Sequence, residues 1–121
     1  MKPHGFPKVI RLLRSTDFRR VYDRGRRQSL DGMVAFFLAT DNPSSRIGFT
    51  VPAAFGPAVD RNRIKRRLRE AIRMHWTELG PGWDIVLNPR RVALDFERLR
   101  IEDIIRNLFQ SCARAGQKAG A

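Results

Sequence analysis

The sequence predicts an α+β fold: a small two-layer sandwich in which helices pack on a central sheet. Three observations predict it. Short β-branched and aromatic runs are bounded by turn residues. Two long segments carry apolar residues at helical spacing. The two patterns alternate in the order α-β-β-α-β-α, with no repeat and no interdomain linker. At 121 residues and 42% hydrophobic content, the chain fits a single folded domain, 1–121, with one modest core.

Residues 1–10 contain Pro3, Gly5 and Pro7 and read as an irregular arm. A short helix begins at Ser15, with Ser15 or Thr16 as its cap and Asp17 favourable near its positive end. Gly25 is expected to stop it in the left-handed conformation. Phe18, Val21 and Tyr22 stand at i, i+3 and i+4, so they form one stripe. Residues 33–39 (MVAFFLA) read as a strand with both faces apolar. After the turn cluster Asp41-Asn42-Pro43-Ser44-Ser45, residues 46–51 form a second strand. Ile47, Phe49 and Val51 point one way, and Gly48 and Thr50 the other. That second face is small: it either leaves room for a ligand or packs closely on a neighbouring element.

Gly56-Pro57 opens a long helix, since proline suits the first helical position. Gly80-Pro81-Gly82 ends it near Leu79. Residues 83–87 form a short apolar strand closed by Asn88-Pro89. Asp95 is expected to cap a last helix, whose Ile101, Ile104, Ile105, Leu108, Phe109 and Cys112 follow the helical spacing. The small, polar tail 114–121 is expected to fray.

The chain carries 24 Lys and Arg against 12 Asp and Glu, a net charge of +12 with a pI near 11.5. Such a balance points to a polyanionic partner. The excess is lopsided: residues 1–73 hold 17 cations and 6 acids, and residues 74–121 hold 7 and 6. Its densest part is residues 61–73 (RNRIKRRLREAIR), seven cations against the single carboxylate of Glu70. On a helical wheel, Ile64, Leu68, Ala71, Ile72, His75 and Leu79 share an apolar arc of about 100°. Asn62, Lys65, Arg66, Arg69 and Arg73 share a neighbouring arc of about the same width. One side can anchor to a core while the other presents a fixed row of donors to phosphates. Arg63 and Arg67 fall outside that row, as solvated charges or secondary contacts. Arg19, Arg20, Arg24, Arg26 and Arg27 form a second basic run, either solvated or touching nucleic acid.

Several classes are set aside. No apolar run approaches the roughly 20 residues that span a bilayer, and the first residues lack the apolar core of a signal peptide. One cysteine, Cys112, allows no internal disulfide and fits a reducing, cytoplasmic setting. Metal sites and catalytic residues are not expected. His4 lies in the arm, His75 sits on the apolar stripe as a satisfied core histidine, and the acids are scattered. Trp76 and Trp83 read as packing residues beside the turn.

The segment RIGFTVPAAFGPAVDRNRIKRRLREAIR resembles the signature of the bacterial ribonuclease P protein subunit. STDFRRVYDRG and MVAFFLA precede it and DIVLNP and a closing amphipathic helix follow, in the family's order, over residues 8–112. The resemblance implies a sandwich similar to a ribosomal-protein domain, with a left-handed crossover around the basic helix. It implies a protein that assists a catalytic RNA in removing the 5′ leader from precursor tRNA. The polypeptide itself then holds no catalytic residue, and Mg²⁺ is held mainly by the RNA. By position, Arg61, Asn62, Arg63, Lys65, Arg66, Arg69 and Arg73 would contact the catalytic RNA. Phe18, Tyr22 and Phe36 would line a groove for the single-stranded leader, although spacing alone equally fits core packing for these rings. Relatives place lysines after the strand that ends Phe49-Thr50-Val51, where this chain has Pro52-Ala53-Ala54. The missing charge would come from Arg46 or from Arg90-Arg91. No protein partner and no membrane are implied. Two other readings stand beside this one: a ribosomal-type RNA-binding protein without a role in cleavage, and a DNA-binding domain using the long helix. The latter lacks the partner helix of a helix-turn-helix.

Overall fold

The computed structural model describes residues 11–12 and 14–120; the expected arm 1–10, with His4, lies outside them. The chain forms α1 (Ser15–Arg24), β1 (Arg26–Leu30), β2 (Met33–Ala39), β3 (Arg46–Phe49), α2 (Ala58–His75), β4 (Trp83–Pro89) and α3 (Arg98–Gly120). The expected order lacks β1. Its sequence, RRQSL, has one large apolar residue and no alternation. It is a mostly exposed edge strand, paired antiparallel with β2 from Arg26 opposite Phe37 to Leu30 opposite Met33. The Asp31-Gly32 dipeptide closes this hairpin, with Gly32 at φ +72°.

Six helix boundaries differ in detail from expectation. Gly25 does end α1, but in extended backbone (φ −77°, ψ 164°). Glycine is needed there for close approach: a Cβ would lie 2.4 Å from the Val21 carbonyl oxygen. The residue flanking α1 is Arg14, with no side-chain cap from Ser15 or Thr16. Pro57 flanks α2 rather than opening it, and α2 ends at His75. A 3₁₀ turn, Trp76–Glu78, carries the chain on to Leu79, after which Gly80 and Gly82 take φ of +79° and +86°. Asp95 closes a 3₁₀ turn, Arg91–Asp95, and does not directly precede α3, which begins at Arg98. That last helix is continuous to Gly120, through the segment expected to fray.

The sheet order is β1-β2-β4-β3. Central β4 pairs antiparallel with β2 and parallel with β3, so α2 crosses between parallel neighbours. Ile85 lies opposite both Phe37 and Ile47. One face of the sheet offers Met33, Ala35, Phe37, Ile85 and Leu87 to Ile64, Leu68 and Ile72 of α2 and to Ile105, Leu108 and Phe109 of α3. Cys112 is buried in the same cluster, which pushes its thiol pKa up to about 12. The other face carries a smaller cluster of Leu12, Val21 and Val86, with Phe18, Tyr22, Phe36 and Leu38 packed against it. Strand β2 is thus apolar on both sides because it has helices on both sides.

His75 clasps α2 to α3. Its Nδ1 lies 2.7 Å from Glu78 Oε2 and its Nε2 lies 2.9 Å from Glu102 Oε1. Carboxylates only accept, so two donating ring nitrogens satisfy both contacts and the pair of carboxylates favours the imidazolium. The bond to Glu102 raises the His75 pKa most; burial opposes it, and Glu78 adds to the rise. The expected core histidine is therefore a tie between two carboxylates at the edge of the core, one that favours the protonated ring. A raised folded pKa gives stability that is complete below the unfolded value of about 6.5 and lost as pH rises through the higher folded value. Urea unfolding of the protein and of His75→Gln should therefore differ at pH 6 and converge at alkaline pH. A gap that widens with pH would contradict the charged clasp.

Candidate RNA interface

The buried stripe of α2 fixes which of its cations face outward. Ile64, Leu68, Ala71 and Ile72 are buried, as the wheel predicts. Asn62, Arg63 and Arg66 are exposed, and Lys65, Arg69 and Arg73 are half-buried. Arg61 and Arg67 have other work. Arg61 Nε donates to the Gly56 carbonyl at 3.1 Å, and Arg67 donates to the carbonyls of Leu94 and Phe96. Arg61 braces the helix against the turn before it, and half-buried Arg67 ties it to the segment that leads into α3. Asn62 makes no hydrogen bond near the helix start among the described residues, which leaves both ends of its amide available.

Several cations elsewhere are matched. Arg91 pairs with Asp60 at 2.6 Å, Arg100 with Asp31 at 2.7 Å and Arg106 with Glu78 at 3.2 Å. On the α2 row, among the described residues, Arg63, Lys65, Arg66 and Arg69 have no carboxylate partner, and Arg73 only approaches Glu70 at 4.0 Å. Arg69 lies 5.8 Å from the centroid of the Phe49 ring. Burial, and then the charge of Arg11, lower its pKa. A row of unmatched guanidiniums on a fixed helix is a surface built for an anion supplied from outside.

A second surface lies beside it. Tyr22 and Phe36 meet edge to face, ring centroids 4.8 Å apart. The Tyr22 hydroxyl shares a 2.6 Å hydrogen bond with Thr50 Oγ1 and donates to Asn88 Oδ1 at 3.0 Å. The polar tip is satisfied by the protein, so the ring face is what Tyr22 offers a ligand. Phe18, Tyr22, Arg19 and Thr50 line an open cleft of about 590 Å³. A smaller one, about 160 Å³, shares Phe18 and is bounded by Gly48, Phe49, Lys65 and Arg69. The two form a track from α1 to the near edge of the cationic row. Gly48 makes it possible: a Cβ there would stand 2.4 Å from the Phe18 ring. The small face of β3 is therefore filled by close packing of Phe18.

Not every expected groove residue joins this track. Phe36 supports Tyr22 from the sheet and lines neither cleft. Arg90, exposed after β4, lines neither. Arg46 grips Asp84 through two bonds, Nε to Oδ1 at 3.0 Å and Nη2 to Oδ2 at 2.7 Å, and reaches Asp17 at 3.4 Å. Asp84 raises the Arg46 pKa most. Fully buried Asp84 is one residue that sequence reasoning missed, although a lone acid inside Trp83–Pro89 was a visible signal. Thr50 and Asn88, which hold the Tyr22 hydroxyl, were also missed. Among the described residues, no three His, Cys, Asp or Glu side chains gather as a metal site. No described helix is long and apolar enough to cross a membrane.

Comparison with known proteins decides what kind of molecule this is. The family model described as Ribonuclease P matches residues 6–113. The chain belongs to the ribonuclease P protein family. The ribonuclease P protein component of Desulforapulum autotrophicum is 30% identical, covering 95% of this chain and 98% of that one. That of Symbiobacterium thermophilum is 36% identical over 90% and 93%. The Thermotoga maritima RNase P protein superposes with a TM-score of 0.76 at 28% identity, covering 84% of this chain and 96% of that one. The Staphylococcus aureus RNase P protein gives 0.75 at 28%, over 85% and 94%.

Within this family member, Asp84 is expected to be a stability residue. Asp84→Ala leaves Arg46 three-quarters buried and without its main partner. The expected cost is about 3 kcal/mol, the low end for a broken buried pair because Arg46 keeps some solvent and Asp17. Urea denaturation measures it; a loss under about 1 kcal/mol would show that the pair does not hold α1 to the sheet.

Proposed function

We infer that the chain is the protein subunit of the ribonuclease P ribonucleoprotein, and that it assists the catalytic RNA in the endonucleolytic removal of the 5′ leader from precursor tRNA. The observation that carries this reading is the juxtaposition of two surfaces: the unmatched cations of α2 and, sharing Lys65 and Arg69 at its edge, the Phe18–Tyr22 track. In this reading α2 binds the catalytic RNA through phosphates, with Asn62 open to a base edge or a ribose hydroxyl. The aromatic track takes the unpaired leader. Stacking serves any base at about 1–3 kcal/mol each, which suits a subunit that handles many precursors. Bond cleavage belongs to the RNA. Mg²⁺ is coordinated by RNA phosphates and water, and the cationic rows screen repulsion between the two RNAs, which raises the affinity for substrate and for Mg²⁺. The setting is cytoplasmic, and no protein partner is required.

Two measurements test this. Arg66→Ala with Arg69→Ala is expected to weaken binding to the catalytic RNA and to make its salt dependence shallower by about one to two units of slope. An unchanged slope would remove α2 from the phosphate contact. Tyr22→Ala is expected to weaken binding of precursor tRNA by roughly tenfold, from one lost stack, and of mature tRNA hardly at all. Equal losses for both would make Tyr22 a packing residue only.

A further inference from the structure

A second cationic surface sits at the opposite edge of the sheet. On β1, alternate residues Arg26, Gln28 and Leu30 face α3, because they lie opposite Phe37, Ala35 and Met33 of the main core. Along this face the chemistry changes from apolar to cationic. Leu30 packs on the core, and Gln28 Nε2 donates to Ser111 Oγ of α3 at 3.0 Å. Beyond that bond the strand and helix part, and Arg26 and Arg114 flank a cleft of about 230 Å³ floored by Phe37 and Ala115. Arg114 stands three residues from Ser111 and donates to its hydroxyl at 3.4 Å. Among the described residues neither arginine has a carboxylate partner. Exposed Arg24, at the end of α1, and Arg27, on the next position of β1, also lack a carboxylate partner among the described residues and add charge at this edge.

We propose that the cleft between β1 and α3 binds the phosphodiester backbone of a second segment of the catalytic RNA, distinct from the segment held by α2. The cleft has what one backbone phosphate needs: two guanidiniums, hydrogen-bonding side chains at its closed end and an apolar floor. Arg24 and Arg27, close by in the chain on the α1 end and the outer face of β1, fit further phosphates along a strand rather than a lone anion. Three inter-strand spacings, about 14 Å, separate β1 from β3 and the α2 surface beside it. A large folded RNA can reach both edges at once, which would fix the orientation of the protein as well as its affinity. The simpler role for Arg26 and Arg27 is protection of an unpaired sheet edge from aggregation, and that role needs no RNA.

This inference rests on the ribonuclease P reading, and one experiment separates their failures. Binding of full-length catalytic RNA is titrated with salt for the protein, for Arg26→Gln with Arg114→Gln, and for Arg66→Gln with Arg69→Gln. The β1–α3 pair is expected to lower the salt slope by about one to two units, additively with the α2 pair. Replacement of both by lysine is expected to restore the slope, which a structural role would not do. An unchanged slope for the β1–α3 pair beside a reduced one for the α2 pair overturns this proposal alone. No change in either overturns both readings. Location is read by iron–EDTA tethered to Gln110→Cys or to Glu70→Cys; the native Cys112 is buried and stays unlabelled. Cuts in two different RNA segments are expected, and cuts in one shared segment would refute a second contact.

Discussion

The rotation of α2 about its own axis is the constraint on which the rest depends. Lys65 with Arg69 and Arg69 with Arg73 place like charges four residues apart, each opposing the helix by about 0.2–0.5 kcal/mol. Burying Ile64, Leu68 and Ile72 contributes about 1.5–3 kcal/mol apiece. The core term wins by severalfold, so the helix forms and its cations are carried on the side the core does not use. An array of that kind has lost its conformational freedom before any partner arrives, which reduces the cost of binding.

The same helix shapes the aromatic track. It joins β3 to β4 as parallel neighbours and so sets β3 beside its own cationic row. Gly48 then lets Phe18 lie on β3, and the Arg46–Asp84 pair, with Asp17 of α1, fastens α1 over the sheet. The basic residues of the chain are split by geometry. Arg46, Arg61 and Arg67 hold the fold together; Arg63, Lys65, Arg66 and Arg69 remain unmatched.

Much of this was legible in the residues because periodicity reports burial. The stripes on α2 and α3, the two apolar faces of β2 and the alternation of β3 all appear where the pattern places them. The failures have physical reasons. Strand β1 escaped because an exposed edge strand needs no apolar alternation, although its Asp-Gly turn was a usable sign. Gly25 misled because glycine serves close approach as well as left-handed backbone. Asp84 escaped because a buried acid is legible only with its distant partner in view, and Arg46 is 38 residues away. The track was legible as ring types, but the assignment of Phe36 and Arg90 to it depended on which way each side chain faces.

The central claim is that two RNAs are held in register by a protein that breaks no bond. Cleavage of precursor tRNA at limiting Mg²⁺ tests it most directly, with the chain alone, the catalytic RNA alone and the two together. The account predicts no product from the chain, little from the RNA, and accurate 5′ cleavage only from the mixture. Product from the chain without RNA, or a mixture no better than the RNA alone, would contradict it.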